Sequence, residues 1–365
     1  MEKREFTELL KGCTPVKDVN GNILVQSILN MELVCLTTDE EYSMDDKFGN
    51  PMNLIASNTG YGHLNFRNTD AKPTITPTQM AVINDQSAQN HGMVKAGYVR
   101  AKSSTDFNDA GCVQGSQTGY LHEVTADNFR MLPVTMREMV FEQVGDHSYD
   151  HIYPAINRLG RDTNSSTGNY LDVYFNKYDK DLEQFIAHFE RPRNLIGTIV
   201  LVDGEIVAID KFPSYTYAEQ VWDLMIRDCY GALALISQLN SRTGRKTFTE
   251  ILNDLDVRAN ESTTDRLARA LELTKKSITE RVTEKLEAVL DLEFDAELDI
   301  DGNPSRQNGP RSYVLTNEGY IGQVISESNF HYMVSIVKKE SFDPNALRRV
   351  NEMKRKARSQ DRFGL

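Results

Sequence analysis

Residues 195–212 read LIGTIVLVDGEIVAIDKF, in which two apolar runs flank the dipeptide Asp203-Gly204. Aspartate followed by glycine accepts the positive φ angles that a type I′ turn requires, so this stretch predicts a β-hairpin. The next segment, from Tyr217 to Leu239, carries an apolar face at helical spacing. A hairpin that leads directly into a helix is typical of an α+β protein.

Upstream of the hairpin the sequence is mostly β in character. The segment from Ile23 to Thr37 is rich in Ile, Leu and Val without helical spacing and predicts two strands. Turn-forming residues between Pro51 and Asp85 favour short strands joined by turns. Two helices are expected near residues 133–141 and 171–189, where apolar residues recur three or four positions apart.

Downstream of the hairpin, Thr263 to Val289 forms the longest amphipathic pattern, with Ser262 and Asp265 as a capping pair. This helix has two interpretations: an arm packed on its own chain, or a coiled-coil contact between copies. Residues 291–301, DLEFDAELDID, alternate acidic and apolar residues and predict a strand. The runs SYVLT, IGQVIS and YMVSIV then predict a β-meander.

These elements define an α+β fold with a β-rich N-terminal part, a central β-hairpin plus helix, and a long amphipathic helix inserted before a C-terminal β-meander. We divide the chain into an α+β domain (1–240), an added helical segment with the acidic strand (241–310), strands that complete the core (311–342), and a basic tail (343–365). The tail has seven Lys and Arg residues between positions 345 and 365 against Glu352 and Asp361. It is either solvated or docked on an acidic partner, on RNA or on the acidic strand.

Composition excludes several classes of protein. The net charge of −12 and the pI near 5.2 argue against a DNA-coating surface or a membrane-coating surface. The four cysteines have no CxxC spacing, which indicates a reducing compartment without a disulfide framework. Because the N-terminal residues lack a secretory pattern and no run of eighteen apolar residues occurs, we expect a cytoplasmic protein that does not insert into membranes.

Familiar catalytic and metal-binding signatures are missing from the sequence. GxGxxG, GxxxxGK[ST], HExxH and GxSxG do not occur. His147 and His151 have the i, i+4 spacing of helical metal ligands, but Gly145 and Pro154 flank them, so we interpret them as surface residues. We expect neither a bound metal nor a resident cofactor.

Two polar stretches are difficult to explain by packing alone. Residues 85–91, DQSAQNH, offer amides, a hydroxyl and an imidazole that can bind a ribose, a base or a phosphate. Residues 163–168, TNSSTG, offer small hydroxyl side chains and backbone N–H groups that can cradle an anion. Ordinary surface loops are the alternative interpretation of both stretches.

Three blocks in order resemble the domain family associated with ADP-ribosylglycohydrolases and rhodanese-phosphatases. The first is AQNHGMVKAGYVRAKSS followed by CVQG, the second is the serine-threonine run at 165–167, and the third is the hairpin with its helix. Residues that carry the resemblance are Gln89, Asn90, Cys112, Val113, Gly115, Gly197, Gly204, Asp210, Phe212 and Tyr230. The resemblance covers roughly residues 23–239 and leaves 240–310 as an addition.

Two positions depart from the family pattern. His91 stands where the family usually has Arg, and Gln114 stands where it usually has Glu. If those charged residues form an acid-base pair, this chain has replaced it with neutral groups, although His91 is expected to carry a charge below about pH 6.5. A hydrolytic role is weakened by these replacements.

The resemblance implies a place near NAD and ADP-ribose metabolism, which gives a first hypothesis: the chain binds or processes an ADP-ribose-like nucleotide, with NAD or ADP-ribose as ligand. In it Gln89, Asn90, His91 and Gln114 contact ribose or base, and Ser165, Ser166 and Thr167 hold the diphosphate. Cys112 is a candidate nucleophile and Asp210 a candidate base, while a buried structural cysteine and a salt-bridged carboxylate are the alternatives. Whether the chain is an enzyme stays open.

A second hypothesis is a non-catalytic interaction or assembly protein, a class that includes virus-encoded accessory and particle components. The long helix, the acidic strand and the basic tail support it, because such elements dock on other proteins more often than on small substrates. In this hypothesis the helix 263–289 contacts a protein partner or a second copy of the chain. A concave grouping of Gln89, Asn90, His91, Cys112 and Ser166 would favour the first hypothesis instead.

Overall fold

The hairpin lies at the centre of the largest sheet. In the computed structural model, Leu195–Val202 pairs antiparallel with Glu205–Lys211. Asp203 and Gly204 have φ values of 52° and 77°, so both turn residues adopt the left-handed conformation that the dipeptide predicted. The hairpin prediction is confirmed.

The structure describes residues 9–39, 47–84, 88–116, 119–142, 152–240, 261–289, 292–298, 300, 309–327 and 330–339. Its strands, in chain order, are β1 Thr14–Pro15, β2 Gln26–Ile28, β3 Met31–Thr37, β4 Ile55–Gly60, β5 His63–Asn68, β6 Thr74–Ile75, β7 Met80–Val82, β8 His91–Gly92, β9 Tyr98–Val99, β10 Ser103–Phe107, β11 Gly111–Cys112, β12 Phe129–Met131, β13 Leu195–Val202, β14 Glu205–Lys211, β15 Glu293–Leu298, β16 Arg311–Thr316, β17 Tyr320–Glu327 and β18 Phe330–Lys338.

The α-helices are α1 Val134–Glu142, α2 Ile152–Asp162, α3 Leu171–Ile186, α4 Tyr215–Leu224, α5 Gly231–Asn240 and α6 Thr263–Val289. Short 3₁₀ turns occupy Pro51–Asn53 and Ala126–Asn128. The α+β class and the β-rich front are confirmed. Helix α6 has the bounds that its apolar spacing predicted.

Within the described ranges, nine antiparallel strands form the main sheet, in the order β1-β3-β13-β14-β18-β17-β16-β15, with β2 also paired to β3. Three smaller sheets, β10-β5-β4, β11-β8-β7-β12 and β6-β9, are built from the front portion of the chain. The predicted meander is confirmed as β16-β17-β18. Strands from the segment 23–37, from the hairpin and from the meander therefore share one sheet.

Both faces of the main sheet are covered. Along β3, Leu33 and Cys35 point into a core shared with α1, α3 and α4, whereas Val34 and Leu36 point into a second core that includes Val282 of α6. Because side chains alternate between the faces of a strand, a run of apolar residues without alternation marks a strand buried on both sides. Burial on both faces explains why residues 23–37 contain an apolar run without alternation.

The predicted uninterrupted helix from Tyr217 to Leu239 is wrong in one respect. A π-helical segment, Met225–Tyr230, separates α4 from α5. A π turn changes which residues face the core. Here Asp228, Cys229 and Tyr230 are all buried.

Helix α6 packs on its own chain. Val282 and Val289 are fully buried against the sheet, and Thr279 Oγ1 accepts a hydrogen bond from the Ile23 backbone N–H at 2.9 Å. Nearer its N-terminus Lys275 Nζ pairs with Asp18 at 3.1 Å. The packed-arm interpretation therefore describes this helix, although Leu267 and Leu271 are 39% and 46% exposed.

The acidic strand is shorter than predicted, since β15 spans only Glu293–Leu298 and its pairing with β16 shifts between Phe294 and Glu297. Asp291, Asp299 and Asp301 lie outside the described residues, as do His147, His151 and the basic tail. Among the helices that are described, none combines the length and the apolar character needed to cross a bilayer.

Candidate functional site

The first polar stretch meets the Cys112 segment across two short strands. Strands β8 and β11 pair so that Cys112 lies opposite His91. Gln89 Nε2 donates to Cys112 Sγ and, at 2.8 Å, to the carbonyl oxygen of Gln114. The Gln114 side chain accepts from the Asn90 backbone N–H at 3.1 Å. The structure thus brings together five predicted site residues, which we call the glutamine cluster: Gln89, Asn90, His91, Cys112 and Gln114.

Burial limits what His91 can do in this cluster. Its Nδ1 lies 3.1 Å from the Gln89 carbonyl oxygen and 3.3 Å from Asn58 Nδ2, while Nε2 has no hydrogen-bond partner in the described part of the chain. Burial lowers the pKa of His91 to about 4. The expectation that His91 gains charge just below pH 6.5 is therefore corrected, because the imidazole stays neutral until the solution is much more acidic.

Burial also determines the state of the candidate nucleophile. Cys112 is fully buried, and this burial raises the pKa of its thiol, although hydrogen bonds from Tyr153 and to Gln114 lower it in part. A catalytic cysteine requires a stabilised thiolate. Cys112 accordingly has the character of a structural thiol that holds Gln89 in place.

Asp210, the candidate base, belongs to a separate buried network. Arg137 Nη1 donates to its two carboxylate oxygens at 2.9 and 3.0 Å, while the Tyr230 and Ser335 hydroxyls donate at 2.6 and 2.8 Å. Arg137 and Asp210 are both 1% exposed. This carboxylate is saturated and enclosed, so it is an ion-pair partner and not a base available to substrate.

Sequence reasoning missed Arg137. Helix α1 buries seven of its nine residues, and Arg137 lies among them without any local sign that it has a partner. Asp210 and Ser335 lie 73 and 198 residues away along the chain. Pairing of β14 with β18 places Asp210 opposite Ser335, and helix α1 brings Arg137 to both.

The second polar stretch wraps the C-terminal end of α2. Ser165 Oγ shares a hydrogen bond with Thr163 Oγ1 at 2.8 Å, and Thr167 Oγ1 donates to the Ile156 carbonyl at 3.1 Å. Ser165 and Thr167 are buried, whereas Ser166 is exposed. Of the three hydroxyl residues expected to hold a diphosphate, only Ser166 faces solvent.

The loop backbone also satisfies itself. The N–H groups of Asn164, Ser165 and Thr167 donate to the carbonyls of Arg161, Gly160 and Ser165 at 3.2, 2.8 and 2.7 Å. The expectation that these backbone groups cradle an anion is corrected, since these three already have intramolecular acceptors. An anion at this loop would bind through groups other than these three N–H groups.

A cleft of about 400 Å³ nevertheless opens at this loop. Amide, hydroxyl, glycine and arginine residues line it: Asn157, Gly160, Arg161, Asn164, Ser165, Ser166, Thr167 and Gly168. Arg161 makes no ion pair with any residue in the described part of the chain. The cleft therefore offers a positive charge beside neutral hydrogen-bonding groups and no lining carboxylate.

One face of α2 joins this cleft to the glutamine cluster. Tyr153, Asn157 and Arg161 are spaced four residues apart and share that face. Tyr153 donates from its hydroxyl to the Gln114 carbonyl at 3.1 Å, and Asn157 Nδ2 donates to Asn169 Oδ1 at 2.9 Å. We call this face, from Tyr153 to Arg161, the polar track. The polar track connects the glutamine cluster with the loop 163–168, which are far apart in the sequence.

Gly160 gives a direct test of how tightly the loop is seated. A Cβ at this position would meet Thr167 Oγ1 and lie 2.7 Å from the Ser165 carbonyl oxygen. Alanine normally stabilises a helix relative to glycine by up to about 1 kcal/mol. Here we expect overpacking to prevail, so that Gly160→Ala lowers the free energy of unfolding by about 1–2 kcal/mol in urea denaturation.

Ser166→Ala is the matched control for Gly160→Ala, because it changes an exposed side chain of the same loop. It is expected to change stability by less than about 0.5 kcal/mol. Stabilisation by Gly160→Ala would show that the loop is not seated on the helix in this way.

No group of three or more potential metal-ligating side chains occurs within the ranges that the structure describes.

The model of the ARG and Rhodanese-Phosphatase-superfamily-associated Protein domain matches residues 83–293, more than half of the chain. This range includes the glutamine cluster, the polar track, the cleft, the hairpin and helix α6. No curated protein and no solved structure matches the chain.

Proposed function

The chain belongs to the ARG and Rhodanese-Phosphatase-superfamily-associated Protein domain family, and from this premise we propose that it binds an ADP-ribose-like nucleotide along the polar track. The observation that carries the proposal is the single helix face that links the cleft to the glutamine cluster. The choice of ADP-ribose among polar anions rests on what the family resemblance implies. The positive charge at the cleft determines which end of the ligand binds there.

The phosphates belong at the cleft. Arg161 supplies a cation that pairs with no carboxylate among the described residues, and the exposed Ser166 lies in the same lining. A guanidinium binds phosphate oxygens through two parallel N–H groups, which makes arginine a preferred phosphate partner. Lys177 Nζ, which donates to the Asn164 carbonyl at 2.6 Å, adds positive charge beside the loop.

The hydroxyl-rich part of the ligand extends from the cleft toward Tyr153. Because an α-helix rises 1.5 Å per residue, the Cα atoms of Tyr153 and Arg161 lie about 12 Å apart, a span suited to an extended nucleotide. Asn157 lies midway and is half-buried. Gln114 lies at the far end and is half-buried, so a ligand hydroxyl can reach its side chain. Gln89 Oε1, behind it, is buried and has no hydrogen-bond partner among the described residues, which suits an ordered water.

Binding without covalent catalysis is the form of the function that these groups favour. The thiol of Cys112 is protonated by burial, and the carboxylate of Asp210 is enclosed by Arg137. Gln89, Asn90 and His91 are all buried within the cluster, so in this proposal they support Gln114, which is half-buried, and do not contact the ligand. The site recognises and holds a nucleotide.

Calorimetric titration of the full chain with ADP-ribose tests the proposal. Replacing Arg161 by glutamine removes a charge-assisted contact, so we expect the dissociation constant to rise about 10- to 100-fold. Arg161 occupies the last turn of α2, where the helix dipole favours a cation, so stability is expected to fall by less than about 1 kcal/mol.

Arg193→Gln is the matched control for Arg161→Gln, since Arg193 is exposed and lies beyond the far end of α3 from the cleft. It is expected to bind ADP-ribose like the wild type. Equal affinity of the Arg161→Gln variant and the wild type would remove the phosphate site from the proposal. Absence of binding to the wild type would instead favour the interaction-protein hypothesis, with the exposed Leu267 and Leu271 as the first contact to examine.

A further inference from the structure

Tyr170 lies between the cleft and the glutamine cluster. Its backbone pairs with Gln114 in an isolated β-bridge. A Cβ built on Gly168, which lines the cleft, would lie 3.9 Å from Tyr170 Cδ2. One built on Gly115 would lie 3.4 Å from Cε2 of the same ring. The ring thus stands beside both parts of the proposed site.

Two contacts fix the ring in place. The Tyr170 hydroxyl and Ser116 Oγ share a hydrogen bond at 3.1 Å, and the backbone bridge to Gln114 holds the residue from the other side. Yet 36% of Tyr170 remains exposed. Since its hydroxyl already has a partner, a ligand would have to contact Tyr170 through its aromatic ring.

We propose that Tyr170 is a stacking platform for the nucleobase of the ligand, an inference that rests on the proposed nucleotide-binding function. An aromatic ring held in one orientation binds a flat base with little loss of side-chain entropy. Stacking requires no particular hydrogen-bonding edge, because every base has a π face. Tyr170 therefore contributes affinity for a base, while Arg161 contributes affinity for phosphate.

Titrations with two probes that differ only in the base separate these contributions: ADP-ribose, and bis(5-ribosyl) diphosphate, which is ADP-ribose without its adenine. The wild type is expected to bind ADP-ribose at least 10-fold more tightly. Tyr170→Leu is expected to weaken ADP-ribose binding about 10-fold or more and to leave the affinity for bis(5-ribosyl) diphosphate within twofold. Tyr170→Phe, the matched control, keeps the ring and is expected to bind ADP-ribose within about threefold of the wild type.

These titrations distinguish failure of the stacking role from failure of the nucleotide-binding proposal. Equal wild-type affinity for both probes, or equal weakening of both by Tyr170→Leu, overturns the stacking role. If Arg161→Gln still weakens both probes, the nucleotide site stands without it. Absence of binding of either probe to the wild type overturns both proposals. If Tyr170→Leu does not fold, equal affinity of the wild type for the two probes still overturns the stacking role, and Tyr170→Ser takes the place of Tyr170→Leu in the comparison.

Discussion

Asp210→Ala is expected to lower the free energy of unfolding by about 3–5 kcal/mol, as measured by urea denaturation at pH 7. The carboxylate accepts hydrogen bonds from Arg137, Tyr230 and Ser335, and each donor is buried. Removing it leaves the guanidinium enclosed without a counter-charge. A buried charge without its partner cannot recover its lost hydration, which makes the loss large.

The charge on Arg137 persists in the folded protein. Burial alone would lower its pKa, but the carboxylate of Asp210 raises it well above the usual value. The same guanidinium donates to Cys229 Sγ, and burial raises the pKa of that thiol to about 12, so the cysteine supplies no compensating charge at neutral pH. Asp210 is therefore the group that balances Arg137.

Two further variants make this expectation specific. The double variant Arg137→Met, Asp210→Leu removes both charges and is expected to be more stable than Asp210→Ala alone, because no unpaired charge remains. Glu219→Ala, which breaks the exposed Arg191–Glu219 pair, is expected to change stability by less than about 1 kcal/mol. A loss below about 1 kcal/mol for Asp210→Ala would contradict a buried, charged pair.

The second large effect is a dependence of stability on pH that comes from His91. In the folded chain its pKa is lowered to about 4 by burial, whereas an unfolded histidine titrates near 6.5. Between these values the unfolded chain binds the extra proton, so stability falls as the pH is lowered. The contribution of the neutral imidazole is complete above about pH 6.5 and is lost progressively down to about pH 4.

His91→Gln removes this titration, so the variant is expected to lose about 3 kcal/mol less than the wild type between pH 7 and pH 4. Glu138 acts in the opposite direction: burial, followed by repulsion from Glu142, raises its pKa to about 7, so its contribution is present at acidic pH and is lost as the pH rises. Both proteins contain Glu138, so its effect cancels in their difference. Parallel pH profiles of the two proteins in urea would contradict a buried neutral His91.

The sequence was sufficient to predict those segments whose structure depends on short-range rules. Asp203-Gly204 specifies its turn through the backbone angles of two residues, and both angles are observed. The apolar spacing of α6 predicted its bounds because a 27-residue amphipathic pattern leaves little ambiguity. The π segment at Met225–Tyr230 has no such local rule, since it depends on burying Asp228 and Tyr230 beside arginines from other elements.

The candidate site was predicted in parts and not as a whole. Gln89 and Gln114 were identified from residue type and resemblance, and the structure brings them together through Cys112. The inward orientation of Ser165 and Thr167 depends on the carbonyls of α2, which residue type alone does not reveal. The spacing of Tyr153, Asn157 and Arg161 was readable in the sequence as one helix face, and it is the signal that would have joined the two stretches.

Hydrogen-deuterium exchange of the full chain with and without saturating ADP-ribose tests most directly whether the two stretches form one site. Binding along the polar track should slow exchange in peptides that cover residues 112–116 and in those that cover 161–170, with little change in α6, which lies on the opposite face of the main sheet. Protection in only one of the two peptides would separate the cleft from the glutamine cluster. Unchanged exchange in both would contradict nucleotide binding along the polar track.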